Sequence, residues 1–145
     1  MNLREVSKHE HEIDYVAKMK LEFLLGEQNK DEMINLSHIK HRLQYLLEHK
    51  WNIFIIELRD DIIGYLLYRI EYNEENLAKY YINQYFIRKE YRNRGYGAKG
   101  FQMFIDAAGE DSIGIELDAV VKQLRAEPFW IKLGFQAINE RYMYI

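Results

Sequence analysis

The stretch RNRGYGAKG, residues 92–100, carries the densest chemical signal in this chain. Gly95, Gly97 and Gly100 spell G-x-G-x-x-G, a dinucleotide fingerprint, while Arg92, Gly95 and Gly97 spell Arg-x-x-Gly-x-Gly. Both patterns hold phosphate in the same way. Glycines let backbone N–H groups approach phosphate oxygens without a Cβ in the way. A helix opening at that point adds a favourable dipole. Arg92, Arg94 and Lys99 supply mobile positive charge around it.

The flanking residues separate the two patterns. A dinucleotide site needs its first glycine almost at the end of a strand. Here RKEYRNR intervenes between Ile87, the last apolar residue of the strand signal YYINQYFI, and Gly95. Glu116 or Asp118 lies roughly twenty residues on, where that fingerprint expects its ribose-binding acid. With the strand gap wrong and the chain too short for two mononucleotide halves, the dinucleotide reading is set aside. What remains is a strand, a basic loop and a glycine-punctuated helix start, an anion cradle for another phosphate-bearing cofactor.

The elements that must position this cradle follow from periodicity. NLREV reads as a short first strand. Ser7 and Glu10 make a capping box opening a helix with Ile13, Val16, Ala17, Leu21, Leu24 and Leu25 at helical spacing, ended by Gly26. Asn29 with Glu32 caps a second helix, whose buried face is Leu36, Ile39, Leu43, Leu46 and Leu47. NIFIIEL and IIGYLLYRI, separated by RDD, form a strand hairpin. NEENLAK is a polar loop before the strand YYINQYFI. Phe101, Phe104, Ile105 and Ala108 give the next helix its face, closed by Gly109. IGIELDAVV is another strand. LRAEPFWIKLGF is a short helix that stops at Gly134, with Lys132 in its last turn. Pro128 lacks a backbone N–H and belongs in the first turn, so this helix starts close to Arg125 or Ala126. QAINERYMYI is a final strand or pair of strands. The order β-α-α-β-β-β-α-β-α-β describes one α/β domain spanning 1–145, its helices packed on a largely antiparallel sheet.

Composition bounds the function. The 145 residues suffice for one core, and 48% hydrophobic with 30% charged residues is ordinary for a globular protein. The absence of cysteine excludes disulfides, thiolate metal sites and a cysteine nucleophile, and fits a reducing cytoplasm. A net charge of −3 argues against a nucleic-acid partner. The charged N-terminus lacks a signal-peptide core, and runs such as IFII are too short to span a membrane. His38 and His41 lie one helical turn apart but have no further ligand types beside them, so they read as a solvated helix face and no metal is expected.

Two linked segments resemble the GNAT superfamily of acetyl-CoA-dependent N-acetyltransferases. INQYFIRKEYRNRGYGAKG is similar to that family's strand, pyrophosphate loop and helix. IELDAVVKQLRAEPFWIKLGF is similar to its second cofactor segment, ending in Lys132 to Phe135. The resemblance covers essentially the whole chain. It implies an α+β domain with a mixed, mostly antiparallel sheet of about six to seven strands and about four helices, with a splayed central strand pair. The strand ending at Ile87 would part from the strand around Leu117 and leave a slot for pantetheine.

The resemblance also implies roles. Tyr85, Phe86 and Ile87 would pair with pantetheine. Backbone amides across Arg92, Asn93, Arg94, Gly95, Tyr96, Gly97, Ala98 and Lys99 would surround the pyrophosphate. Gln123 replaces the family's asparagine, and Trp130, beside Phe129, replaces a tyrosine able to protonate the leaving thiolate. Indole N–H donates a hydrogen bond but is no general acid near neutral pH. Trp130 and Phe129 are then cofactor-pocket packing, and the thiolate is protonated by solvent, stabilised as it stands, or served by another tyrosine such as Tyr142. Asp118 stands where some relatives carry a base. No acid occupies Tyr81, where others do. Asn83 and Gln84 would orient substrate or water. The implied activity is acetyl transfer from acetyl-CoA to a primary amine of a small molecule or peptide. The alternative is a non-catalytic acyl-CoA-binding module of the same fold. A cytoplasmic protein is expected, with a homodimer permitted by the C-terminal strands.

Overall fold

The computed structural model describes residues 1–7, 11–26, 35–108, 112–117, 127–138 and 141–144. One seven-stranded sheet forms the frame, in the order β1-β2-β3-β4-β5-β7-β6. Its strands are β1 (Asn2–Val6), β2 (Trp51–Leu58), β3 (Asp61–Tyr72), β4 (Ala78–Ile87), β5 (Ser112–Leu117), β6 (Gln136–Ile138) and β7 (Arg141–Tyr144). The four α-helices are α1 (Glu12–Gly26), α2 (Leu36–Glu48), α3 (Tyr96–Ala108) and α4 (Glu127–Lys132). Every neighbouring pair is antiparallel except β4 with β5. A parallel pair needs a long crossover, and α3 supplies it.

Alternation along β2 and β3 sorts side chains to two faces. Ile53, Ile55, Tyr65 and Leu67 join Ile13, Val16, Ala17, Ile39, Leu43 and Leu46 beneath α1 and α2. Leu66, Tyr68, Ile82, Ile115 and Leu117 join Phe101, Phe104, Trp130 and Phe135 beneath α3 and α4. Each fully buried aliphatic or aromatic side chain is worth roughly 1.5–3 kcal/mol relative to exposure. Buried from both sides, β3 is the spine of the molecule. Arg59, left-handed at φ 58, turns the chain from β2 into β3.

Three local expectations are corrected. The N-cap of α2 is Asn35, whose Oδ1 accepts from the His38 N–H at 2.9 Å. Asn29 and Glu32, expected there, lie outside the described residues. Leu36, expected on the buried face, is exposed because it opens the helix a turn before Ile39 reaches the core. The helix expected after Ser7 begins only at Glu12, where Arg4 Nη2 donates to the Glu12 carboxylate at 2.9 Å and anchors that first turn beside β1. Glu10 lies outside the described residues. So do Gly109, Arg125 and Ala126.

The NEENLAK loop is the β3–β4 turn. Asn73 Oδ1 accepts from the backbone N–H groups of Glu75 and Leu77, each at 2.9 Å. Local side-chain acceptors of this kind replace ladder bonds in a tight loop.

Candidate active site

The parallel ladder between β4 and β5 runs from Ala78 opposite Ser112 to Ile82 opposite Leu117. Beyond it β4 continues as Asn83–Ile87, paired on its other edge with β3 from Leu67 opposite Gln84 to Gly64 opposite Ile87. The β3–β4 register slips between Leu67 and Tyr68, leaving Asn83 as an extra residue on β4. A bulge bends its strand and re-aims the residues beside it. Here it coincides with the last rung of the β4–β5 ladder. Among the described residues the β4–β5 ladder ends at that rung, and the space along β4 beyond it is the fork.

A cleft of about 430 Å³ occupies the fork. Asn83, Gln84, Tyr85, Phe86 and Ile87 line it from β4, while Phe129 and Trp130 line it from α4. Arg92, Asn93, Gly95, Gly97 and Ala98 close its far end. Of the residues expected at this site from sequence, Arg94, Tyr96 and Lys99 stand around the loop without lining the cleft. Asp118 and Gln123 lie outside the described residues. Tyr142 is described in its backbone alone, opposite Leu117 at the fork.

The loop has the backbone that its sequence demands. Asn93 (φ 62) and Gly95 (φ 83) are both left-handed. Left-handed residues at alternate positions turn neighbouring N–H groups towards one side, which is a concave anion site. The first helical bond of α3 runs from the Lys99 N–H to the Gly95 carbonyl at 3.1 Å. The amides of Tyr96, Gly97 and Ala98 precede it, at the positive end of the helix. A Cβ on Gly97 would meet the Phe129 ring at 3.6 Å and narrow the cleft.

Side chains lock this geometry. Half-buried Tyr85 donates its hydroxyl to the Gly97 carbonyl at 2.6 Å, tying β4 to the start of α3. Burial pushes the Tyr85 phenol well above its usual range, so it stays a donor. Gly100, third glycine of the rejected fingerprint, serves packing: a Cβ there would press on the Tyr85 hydroxyl at 2.8 Å. Arg92 Nε donates to the Ile87 carbonyl at 2.7 Å, with its guanidinium 5.1 Å from the Phe86 ring centre. The Tyr65 hydroxyl, fully buried, donates to Gln84 Oε1 at 2.8 Å and fixes that amide. Trp130 packs against Tyr85, Phe101 and Phe135 at 2% exposure, a core position.

Three features escaped the sequence reading. Phe23 of α1 and Tyr65 of β3 also line the cleft. Phe23 packs edge-on against Phe86 at 6.0 Å. The third is a row across four strands, Trp51–Arg69–Tyr81–Glu116, set by register alone. Ile115 and Leu117 face α3, so Glu116 between them points to the α1/α2 side. At 8% exposure it is the one buried charged residue among those described. Lys79 Nζ lies 3.8 Å from its carboxylate. The Arg69 guanidinium sits 5.0 Å over Trp51 and 4.8 Å over Tyr81, and is paired to Glu71 at 2.7 Å. No periodicity connects residues so far apart in sequence.

Comparison with known proteins gives the same frame. The acetyltransferase (GNAT) family model matches residues 15–135. A possible acetyltransferase from Clostridium difficile 630 superposes with a TM-score of 0.77 at 17% identity, covering 95% of this chain and 91% of that one. A predicted acetyltransferase from Clostridium acetobutylicum, solved with acetyl-CoA, gives 0.71 at 18% identity over 96% and 92%. An aminoglycoside acetyltransferase from an uncultured soil metagenomic sample, in complex with sisomicin, gives 0.73 at 16% identity over 95% and 90%. No curated protein matches the chain in sequence. The chain shares the fold of these structures. Among the described residues no helix is long and apolar enough to cross a membrane.

Proposed function

The chain belongs to the GNAT acetyltransferase family, and from that premise we propose that it transfers acetyl from acetyl-CoA to a primary amine by direct attack in a ternary complex. The observation carrying this reading is the fork. The end of β4 beyond its last described rung with β5, a loop with left-handed residues at Asn93 and Gly95, and an aromatic wall from α4 meet in one cleft of about 430 Å³. Pantetheine would pair with the free edge at Tyr85, Phe86 and Ile87, displacing or sharing the Arg92 bond to the Ile87 carbonyl. The pyrophosphate would meet amides of the loop between Arg92 and Lys99, those of Tyr96, Gly97 and Ala98 among them, with the Arg94 and Lys99 side chains on its outer side. Phe129, Trp130 and Gln123 would flank the cofactor.

Attack requires a neutral amine. A lysine-like amine with pKa about 10.4 is only on the order of a thousandth neutral at pH 7, so a proton acceptor raises the rate. We place it on β5. Glu116, buried and directed to the α1/α2 side one residue before the fork, is favoured, with Asp118 as the alternative. Backbone N–H groups on the free β4 edge would stabilise the oxyanion, each such donor worth roughly 3 kcal/mol. Asn83 and the amide of Gln84, held by Tyr65, would orient acceptor or water. The departing thiolate would take a proton from Tyr142, since Trp130 is a buried indole. Acceptors are small-molecule or peptide amines, and the setting is the cytoplasm.

A thiol-release assay across a panel of amines tests the proposal. Free CoA that accumulates only when protein, acetyl-CoA and amine are all present supports transfer. Acetyl-CoA binding without release from any amine would leave the non-catalytic acyl-CoA-binding module as the surviving account.

A further inference from the structure

The cleft is walled from both faces of β4. Alternation along the strand sends Tyr85 towards α3 and α4, and Phe86 towards α1 and α2. Tyr85, Gly97, Phe129 and Trp130 line the cleft on the first side, while Phe23, Tyr65 and Phe86 line it on the second. These last three form one aromatic recess. The Phe86 ring meets Phe23 edge-on at 6.0 Å and Tyr65 at 5.9 Å between centres. Phe86 and Tyr65 belong to the sheet and are buried. Phe23 is half-buried and is the member that a helix supplies. It follows Val16 by two turns on the buried stripe of α1, one turn before the helix ends at Gly26. The packing of α1 on the sheet therefore fixes where this ring stands over β4.

We infer that Phe23 sets the length of acyl chain that the cleft accepts: its ring caps the aromatic recess, leaving room for an acetyl group and closing the way to longer chains. This rests on the acetyl-CoA reading of the cleft. With the pyrophosphate at the α3 end, the acyl end of the thioester is the part left to meet the recess. The chemistry of the recess suits an alkyl group better than an amine head. Its walls are three aromatic rings, and the Oε1 of neighbouring Gln84 is already taken by the Tyr65 hydroxyl at 2.8 Å. The Arg92 guanidinium lies 5.1 Å from the Phe86 ring centre, and a second cation beside it is disfavoured. Burying a charged amine among these rings costs far more than burying a methyl group. Longer chains meet the opposite limit, because methylenes forced against packed rings displace them. One methylene too many or too few in an apolar pocket changes affinity by roughly tenfold or more.

Calorimetric titration with CoA, acetyl-CoA, butyryl-CoA and hexanoyl-CoA tests this on the wild-type protein, Phe23→Leu and Phe23→Ala, with folding followed by circular dichroism. Each acyl-CoA affinity is divided by the same protein's affinity for CoA, so that only the acyl contribution is read. In the wild type this ratio should fall at least about tenfold from acetyl to hexanoyl. In Phe23→Ala the fall should shrink to about threefold or less, with Phe23→Leu between the two. Phe23→Leu keeps an apolar side chain on the stripe and carries the test alone if the alanine variant does not fold. Equal ratios for acetyl and hexanoyl in the wild type, or a fall that the folded variants leave unchanged, overturn the inference and leave the acetyl-CoA reading intact. Failure of the wild type to bind CoA or any acyl-CoA overturns the reading of the cleft on which it rests.

Discussion

The two sides of the fork are built by different means. The cofactor side is mostly backbone: the free edge of β4, the left-handed turns at Asn93 and Gly95, and the first amides of α3. The row Trp51–Arg69–Tyr81–Glu116, which carries the proton acceptor we propose, is instead made of side chains gathered by register from β2, β3, β4 and β5. Backbone recognition needs particular conformations at consecutive residues, so it leaves a compact motif. Side-chain recognition needs only that distant residues arrive together, so its sequence trace is scattered. The first suits a constant ligand and the second a variable one.

If this division is right, damage on one side should spare the other. The largest effect is expected from Gly97→Glu, which places bulk and negative charge against Phe129 inside the cleft. Acetyl-CoA affinity should fall at least about a hundredfold, roughly 2.7 kcal/mol by titration, with the circular-dichroism spectrum unchanged. Glu116→Gln should do the converse. A general base contributes about a hundredfold or more, so kcat should fall by at least that factor while acetyl-CoA affinity holds. If Asp118→Asn instead carried the loss, the proton acceptor would lie two residues further along the chain.

How much of this was legible beforehand follows the same division. The order of elements, the β2–β3 hairpin and the rejection of the dinucleotide fingerprint could all be read from local pattern. The loop could be read too, because Gly95 serves a local conformation, while Gly97 leaves room beside Phe129. Gly100 resembled them but answers a packing demand from Tyr85, which no motif records. Glu116 was noticed only as a mimic of a ribose-binding acid. Its register opposite Tyr81 is what our proposal builds on, and register is a property of the sheet rather than of the segment. The α2 cap was assigned to Asn29 because Asn29 and Glu32 have capping-box spacing. Asn35 satisfies the orphan N–H of His38 without any such box.

Smaller perturbations sharpen the contrast. Tyr85→Phe removes the hydroxyl that joins β4 to the Gly97 carbonyl. Unfolding in urea should show a loss of about 1–3 kcal/mol, accompanied by weaker acetyl-CoA binding. Asn35→Ala removes a cap from α2 on the other side. It should cost about 1 kcal/mol of stability and leave the cofactor affinity alone. Lys20→Met should stabilise the protein near neutral pH, since the native state holds the Lys20 pKa below its unfolded value. Between those two values the unfolded chain binds more protons, so wild-type stability rises with pH there. The advantage of the variant should therefore shrink as pH climbs towards the ordinary lysine range, which paired urea titrations would register.

The central claim is that the fork between β4 and β5 holds acetyl-CoA through the loop at residues 92–98. Calorimetric titration of acetyl-CoA into the wild-type protein and Gly97→Glu tests it most directly. The account predicts micromolar, one-to-one binding by the wild type and none by the variant. Absence of binding by the folded wild type, or equal binding by both proteins, would contradict it.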